Sequence, residues 1–81
     1  MRYTCPVCGY SELDEPPYDD QNNASYEVCS CCGFEFGFDD KAKGVSFEDY
    51  RKKWINEGAR WFLENKKPID WDLKKQLKNI L

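Results

Sequence analysis

Two different spacings of apolar residues divide this chain. In residues 1–40 the apolar positions come in short bursts between turn-forming residues. Arg2-Tyr3-Thr4 and Tyr26-Glu27-Val28 read as short strand-like pieces, and Phe34, Phe36 and Phe38 alternate with Glu35 and Gly37. That alternation is the period-two pattern of a half-buried strand. Between them, Glu15-Pro16-Pro17-Tyr18-Asp19-Asp20-Gln21-Asn22-Asn23 concentrates prolines and polar turn-formers, which predicts a loop. After the turn Asp39–Gly44 the period lengthens. Ser46 is placed as a helix N-cap, with Asp49 three residues on completing a capping-box-like S-x-x-D. Phe47, Tyr50, Trp54 and Trp61 then recur at helical spacing, with Ile55 and Phe62 alongside. Gly58 either ends this helix near Glu57 or kinks it. Pro68 closes the segment, and Asp70 is expected to cap a last helix whose Leu73, Leu77, Ile80 and Leu81 form one apolar stripe. The pattern predicts an α+β fold: small β-hairpins over residues 1–40, then two or three helices over 45–81, packed as one domain spanning 1–81.

Length makes that arrangement precarious. At 81 residues, with aromatic residues outnumbering Val, Ile and Leu together, hydrophobic burial alone leaves folding near balance. Composition supplies a candidate staple, because the chain has five cysteines and no histidine. The missing histidine excludes Cys-His and Ser-His-Asp catalysis, histidine metal sites and a histidine pH switch.

The cysteines fall into an internal echo. Cys5-Pro6-Val7-Cys8-Gly9-Tyr10 returns as Cys29-Ser30-Cys31-Cys32-Gly33-Phe34, each reading C-x-x-C-G-aromatic. Two intervening residues let one tight turn bring both sulfurs of a pair to a single ion, and two such pairs close a tetrahedral all-thiolate site. The following glycine permits a bend that aims backbone N–H groups at the sulfurs. Cys5, Cys8, Cys29 and Cys32 are therefore the candidate ligands, since Cys29 and Cys32 preserve the spacing and the glycine that a Cys29–Cys31 choice would lose. Cys31 is left as a bystander thiol, with a redox-sensitive spare or an alternative ligand as its other roles. A closed S₄ set suits Zn²⁺, with iron as the alternative, and closed sites are structural because catalytic zinc keeps a position open for water. No catalytic or cofactor-binding residues are expected. The acids from Glu12 to Asp20 sit in a loop with no positioning partner, and the glycines form no phosphate-binding loop.

Charge separates along the same boundary. Residues 1–40 carry one arginine against nine acids, and residues 41–81 carry eleven lysines and arginines against six acids. The tryptophans Trp54, Trp61 and Trp71 are expected in the core, with Arg51, Lys52, Lys53 and Arg60 on the helix's wet side. An acidic metal half argues against gripping a phosphate backbone, so the expected partner is another protein; the basic helical face leaves nucleic acid as the lesser option. No signal peptide follows the N-terminus and no apolar run approaches bilayer length, so a cytoplasmic location is expected and no membrane partner. There thiols stay reduced. The sequence leaves the oligomeric state open.

Two family resemblances follow from these motifs. Tyr3-Thr4-Cys5-Pro6-Val7-Cys8-Gly9-Tyr10 resembles the first metal turn of rubredoxins, small iron-tetrathiolate electron carriers. The second turn shares the C-x-x-C-G form with Ser30 at the usual proline. Rubredoxins have a longer loop between the turns and no helical tail. The series Cys5-Pro6-Val7-Cys8-Gly9-Tyr10, Leu13-Asp14-Glu15-Pro16-Pro17, Ser25-Tyr26-Glu27-Val28-Cys29, Cys32 and Phe34-Glu35 is similar to the bacterial cysteine-rich CPCC family. The latter resemblance implies a zinc-ribbon-like module, rubredoxin-like with its two knuckles on short β-hairpins, and no defined activity. In that family's second turn a proline and a non-cysteine stand where this chain has Ser30-Cys31. Together the expectations are a non-enzymatic protein with a structural Cys₄ zinc. The alternatives are an iron electron carrier and a nucleic-acid-associated ribbon.

Overall fold

Ser46 starts the longest helix of the protein. In the computed structural model, which describes residues 2–81, its hydroxyl accepts from the Asp49 backbone N–H at 3.0 Å, and helix α1 runs Phe47–Asn56. Glu48 and Asp49 lie in its first turn and Lys53 in its last, complementing the helix dipole. Gly58, at φ 101°, stops the helix. Its N–H bonds Ile55 O at 3.1 Å, and the N–H of Ala59 bonds Trp54 O at 2.8 Å. The helix does not resume. Trp61 and Phe62, expected to continue its stripe, lie in an irregular segment because Ala59 is also left-handed, at φ 51°. A single 3₁₀ turn, Glu64–Lys66, follows.

The last helix, α2, is Leu73–Leu77, and its N-cap is Asp72, not the expected Asp70. The Asp72 carboxylate accepts from the N–H groups of Lys74 (2.9 Å) and Lys75 (3.3 Å). With five residues, α2 is too short for the anticipated stripe. Leu73, Leu77 and Ile80 are half-buried, whereas Leu81 is exposed.

The hairpins expected in the first half are not found. Among the described residues there are only isolated antiparallel bridges: Tyr3 with Leu13, Tyr18 with Ala24, and Val28 with Glu35. Backbone conformation explains the interruption. Tyr26 sits at φ 59° at the start of its expected strand, and Gly37 at φ 98° turns the Phe34-Phe36 alternation into a helical turn of π type over Phe38–Ala42. Phe34 and Phe36 are fully buried as the alternation predicts, and Phe38 falls out of register and is exposed. A Cβ at Gly37 would meet Ala24 Cβ at 2.6 Å and the Tyr26 ring at 2.7 Å, so glycine is needed for the loop to close there.

The core joins sulfur to aromatic rings. All five cysteines, Val7, Leu13, Phe34, Phe36, Trp54, Ala59 and Trp61 are buried in one cluster. Phe34 takes the edges of Phe47 and Tyr50 at 5.4 and 4.9 Å between centroids. Trp61 packs T-shaped against both Tyr10 and Trp71 at 5.6 Å, and Trp71 reaches Trp54 at 6.4 Å. Trp54 and Trp61 are thus core, as the scarcity of aliphatic residues suggested, and Trp71 packs half-buried against them. No helix of the described residues is long and apolar enough to cross a membrane.

Candidate metal centre

Both cysteine pairs sit on the same turn. Cys5 N–H donates to Tyr10 O at 2.7 Å and Gly9 N–H to Cys5 O at 2.9 Å; Cys29 N–H donates to Phe34 O at 3.0 Å and Gly33 N–H to Cys29 O at 2.9 Å. Gly9 and Gly33 adopt φ 87° and 80°, the left-handed region that glycine reaches without steric cost. The repeated sequence thus builds a repeated structure, two knuckles facing each other.

Facing knuckles bring the four predicted sulfurs together. The Sγ atoms of Cys5, Cys8, Cys29 and Cys32 all lie within 4.8 Å of one another, and all four residues are buried. Two approaches cross between knuckles, Cys5 to Cys32 at 3.9 Å and Cys8 to Cys29 at 3.6 Å. Zinc–sulfur bonds of about 2.3 Å in a tetrahedron place neighbouring sulfurs about 3.8 Å apart. Both cross-knuckle distances match that spacing, and the donor set suits one tetrahedrally held ion. The four cysteines could hold a metal ion, and no disulfide is formed by any cysteine.

Electrostatics explains what an ion would change. Hydrogen bonds from Cys32, Cys5 and Cys8 hold the Cys29 thiol far below the ordinary thiol range. Their bonding to Cys29, reinforced by burial, pushes Cys5, Cys8 and Cys32 up. Four sulfurs this close cannot all carry their charge unaided, because like charges at van der Waals separation repel. A central divalent cation reverses that repulsion and lets all four ionise, so metal uptake releases protons.

The fifth cysteine stands outside this group. Cys31 is fully buried, and its Sγ accepts from Gln76 Nε2 at 3.3 Å. It is not among the sulfurs that converge.

A second feature was not visible in the spacing: the helical half caps the knuckles. Arg51, in α1, donates from Nε to Val7 O at 2.6 Å and from Nη2 to Pro6 O at 2.9 Å. In the second knuckle the equivalent carbonyls, Ser30 O and Cys31 O, accept from the backbone N–H groups of Leu63 (2.9 Å) and Phe62 (2.8 Å). Cys8 O takes Gln76 Nε2 at 3.0 Å, Gly9 O takes Asn79 Nδ2 at 2.8 Å, and Cys32 O takes the Tyr50 hydroxyl at 3.1 Å. With the two internal bonds, every carbonyl from Cys5 to Gly9 and from Cys29 to Cys32 is occupied. Arg51 is therefore not on the wet side of the helix, as expected, but half-buried against the first knuckle. Burial pushes Tyr50 up to about 12, so its hydroxyl remains a donor across the physiological range.

The chain is similar to two proteins of Bacillus subtilis (strain 168). It is 33% identical to the uncharacterized protein YoaQ over 70 residues, covering 69% of this chain and 59% of that protein. It is 30% identical to the uncharacterized protein YozI over 73 residues, covering 72% and 60%. The chain thus spans about six tenths of the length of these relatives. No family model and no solved structure matches it.

Proposed function

We propose that this protein is a non-enzymatic structural metal module in which Cys5, Cys8, Cys29 and Cys32 hold Zn²⁺ and the helical half presents a surface to a protein partner. One observation carries the reading. Four buried sulfurs lie within 4.8 Å of one another while donors from residues 50–79 occupy carbonyls of the turns that hold them. Such an arrangement has no open coordination position for water or substrate, which is the mark of a structural site. Zinc here supplies cross-linking of two turns and charge compensation for the thiolates. The knuckles, left-handed glycines and motif order support a zinc-ribbon-like module of the CPCC kind, even though the flanking segments pair through single bridges. We place it in the cytoplasm, where its thiols stay available to metal.

The test is elemental analysis and a visible spectrum of the protein purified from cells grown with both metals. A colourless protein with one zinc per chain is expected. A red protein bleached by dithionite would replace this reading with an iron-tetrathiolate electron carrier on the same sulfurs, and a metal-free folded protein would dispose of both.

A further inference from the structure

Ile69 is the most exposed large apolar side chain among the described residues, at 108%. It occupies a corner of the tight turn Pro68–Trp71, which the Trp71 N–H closes on Pro68 O at 3.3 Å. Glycine, proline, asparagine, aspartate and serine dominate such corners, each for a backbone reason that isoleucine does not share. Ile69 takes no part in the core either. Single exposed apolar residues are ordinary on a protein surface, and this one is set apart by what lies beside it.

Two residues of the same turn, Pro68 and Trp71, line a cleft of about 360 Å³ whose other apolar walls are Tyr10 and Trp61. Its rings brace one another edge to face, Tyr10 against Trp61 at 89° and Trp61 against Trp71 at 83°. Knob and hole therefore lie side by side on one surface. Glu12, Asp72 and Lys75 also line the cleft, and Lys67 Nζ lies 5.4 Å over the Trp71 ring. Among the described residues none of these two carboxylates and two amines is in an ion pair.

We propose that this face is a two-fold interface with a second copy of the chain, in which Ile69 of each protomer enters the Tyr10–Trp61–Trp71 cleft of the other. A two-fold contact needs one surface that carries both halves of the fit, and a knob next to its own hole is that surface: a single rotation fills both clefts. An apolar anchor seated in a pocket is what concentrates binding energy at the centre of an interface. The charges agree, because a patch bearing both signs in equal number complements itself, whereas a partner of one sign would match only half of it. This inference rests on the reading that the protein contacts a protein partner, and it names that partner.

Sedimentation velocity of the metal-loaded protein tests it. Between about 10 µM and 1 mM the monomer should give way to a dimer, with a dissociation constant of about 100 µM or tighter. Ile69→Asp, at a fully exposed position that the fold does not use, should weaken that association about tenfold or more. Phe38→Asp, which removes an exposed apolar residue that does not line the cleft, should dimerise as the parent does. In the isotopically labelled parent the Trp71 indole N–H signal should move with concentration, and in Ile69→Asp it should stay fixed. A monomer at about 1 mM overturns the proposal, as does a dimer that Ile69→Asp leaves intact or that both variants weaken equally. Zinc content measured on the same samples separates this failure from that of the metal module, since a monomer holding one zinc per chain sinks the interface alone.

Discussion

Replacing Arg51 with methionine isolates the contribution of the helical half to the metal centre. Methionine keeps the unbranched stem and helix propensity of the side chain and removes the guanidinium, its charge as well as its fork of donors; a Lys52→Met control loses the same charge. Two hydrogen bonds are lost, at 2.6 and 2.9 Å, and the carbonyls of Pro6 and Val7 are left without that partner. Val7 is fully buried, so its carbonyl has little access to water. Hydrogen bonds to charged groups contribute about 1.5–3 kcal/mol each, and two from one half-exposed side chain share its entropy, so a loss of about 2–4 kcal/mol is expected. That is a large fraction of a small domain's stability. Urea denaturation of the metal-loaded protein measures it, with Lys52→Met as the control. Lys52 lies one position along α1 and loses only an exposed pair with Glu48 at 3.4 Å, worth about 0.5 kcal/mol or less. The Arg51 variant should also surrender metal to a chelator faster than the control. Equal midpoints and equal release for the two variants would refute the claim that the helix holds the knuckle.

Three further outcomes follow from the same contacts. Gly9→Ala should cost well over 2 kcal/mol, since φ is 87° and the new Cβ would stand 2.3 Å from Gln76 O, whereas Gly44→Ala, at φ 73° with nothing within 4 Å, should cost only the backbone strain of about 1–2 kcal/mol; thermal melts compare them. Cys31→Ser should keep one metal per chain while serine at position 5, 8, 29 or 32 loses it, and elemental analysis distinguishes the cases. Burial alone would raise Asp40, but hydrogen bonds from the Tyr18 hydroxyl and the N–H groups of Gly37 and Lys41 hold its carboxyl below the usual range. A depressed carboxylate gives stability that is present above its unfolded value and lost as pH falls through its folded one. Acid denaturation of Asp40→Asn should therefore lack part of the slope below about pH 4 that the parent protein shows.

Much of the metal centre was legible because its chemistry is written in spacing. C-x-x-C-G occurs twice, and a glycine that must be left-handed follows each pair, so four sulfurs could be chosen from five by register alone. Helix α1 was equally plain, since Ser46, Asp49 and Gly58 are local signals that act where they stand. The strands were not legible in the same way. Alternation at Phe34 and Phe36 correctly named two core residues, but pairing depends on backbone conformation, and nothing in the identity of Tyr26 announces φ 59°. The expected stripe through Trp61 failed because burial and periodicity look alike at that distance: Trp61 is buried, but from an irregular segment across a turn. The capping by Arg51, Gln76 and Asn79 links residues separated by 44 to 70 positions, and each would be read from sequence as ordinary surface. Only their geometry shows that the carbonyls of Cys5–Gly9 and Cys29–Cys32 are all taken by donors.

The interdigitation of both halves makes the central claim a claim about folding. Near-ultraviolet circular dichroism of the tryptophan cluster, recorded as a chelator withdraws the metal and as zinc is restored, tests it most directly. Trp54, Trp61 and Trp71 contribute no ligand, yet they pack in the half whose donors close the knuckles. The predicted result is loss of the tryptophan signal in step with metal removal and its full return at one zinc per chain, because metal binding energy is folding energy in a domain of this size. A metal-free protein that keeps the native tryptophan signal would contradict the account.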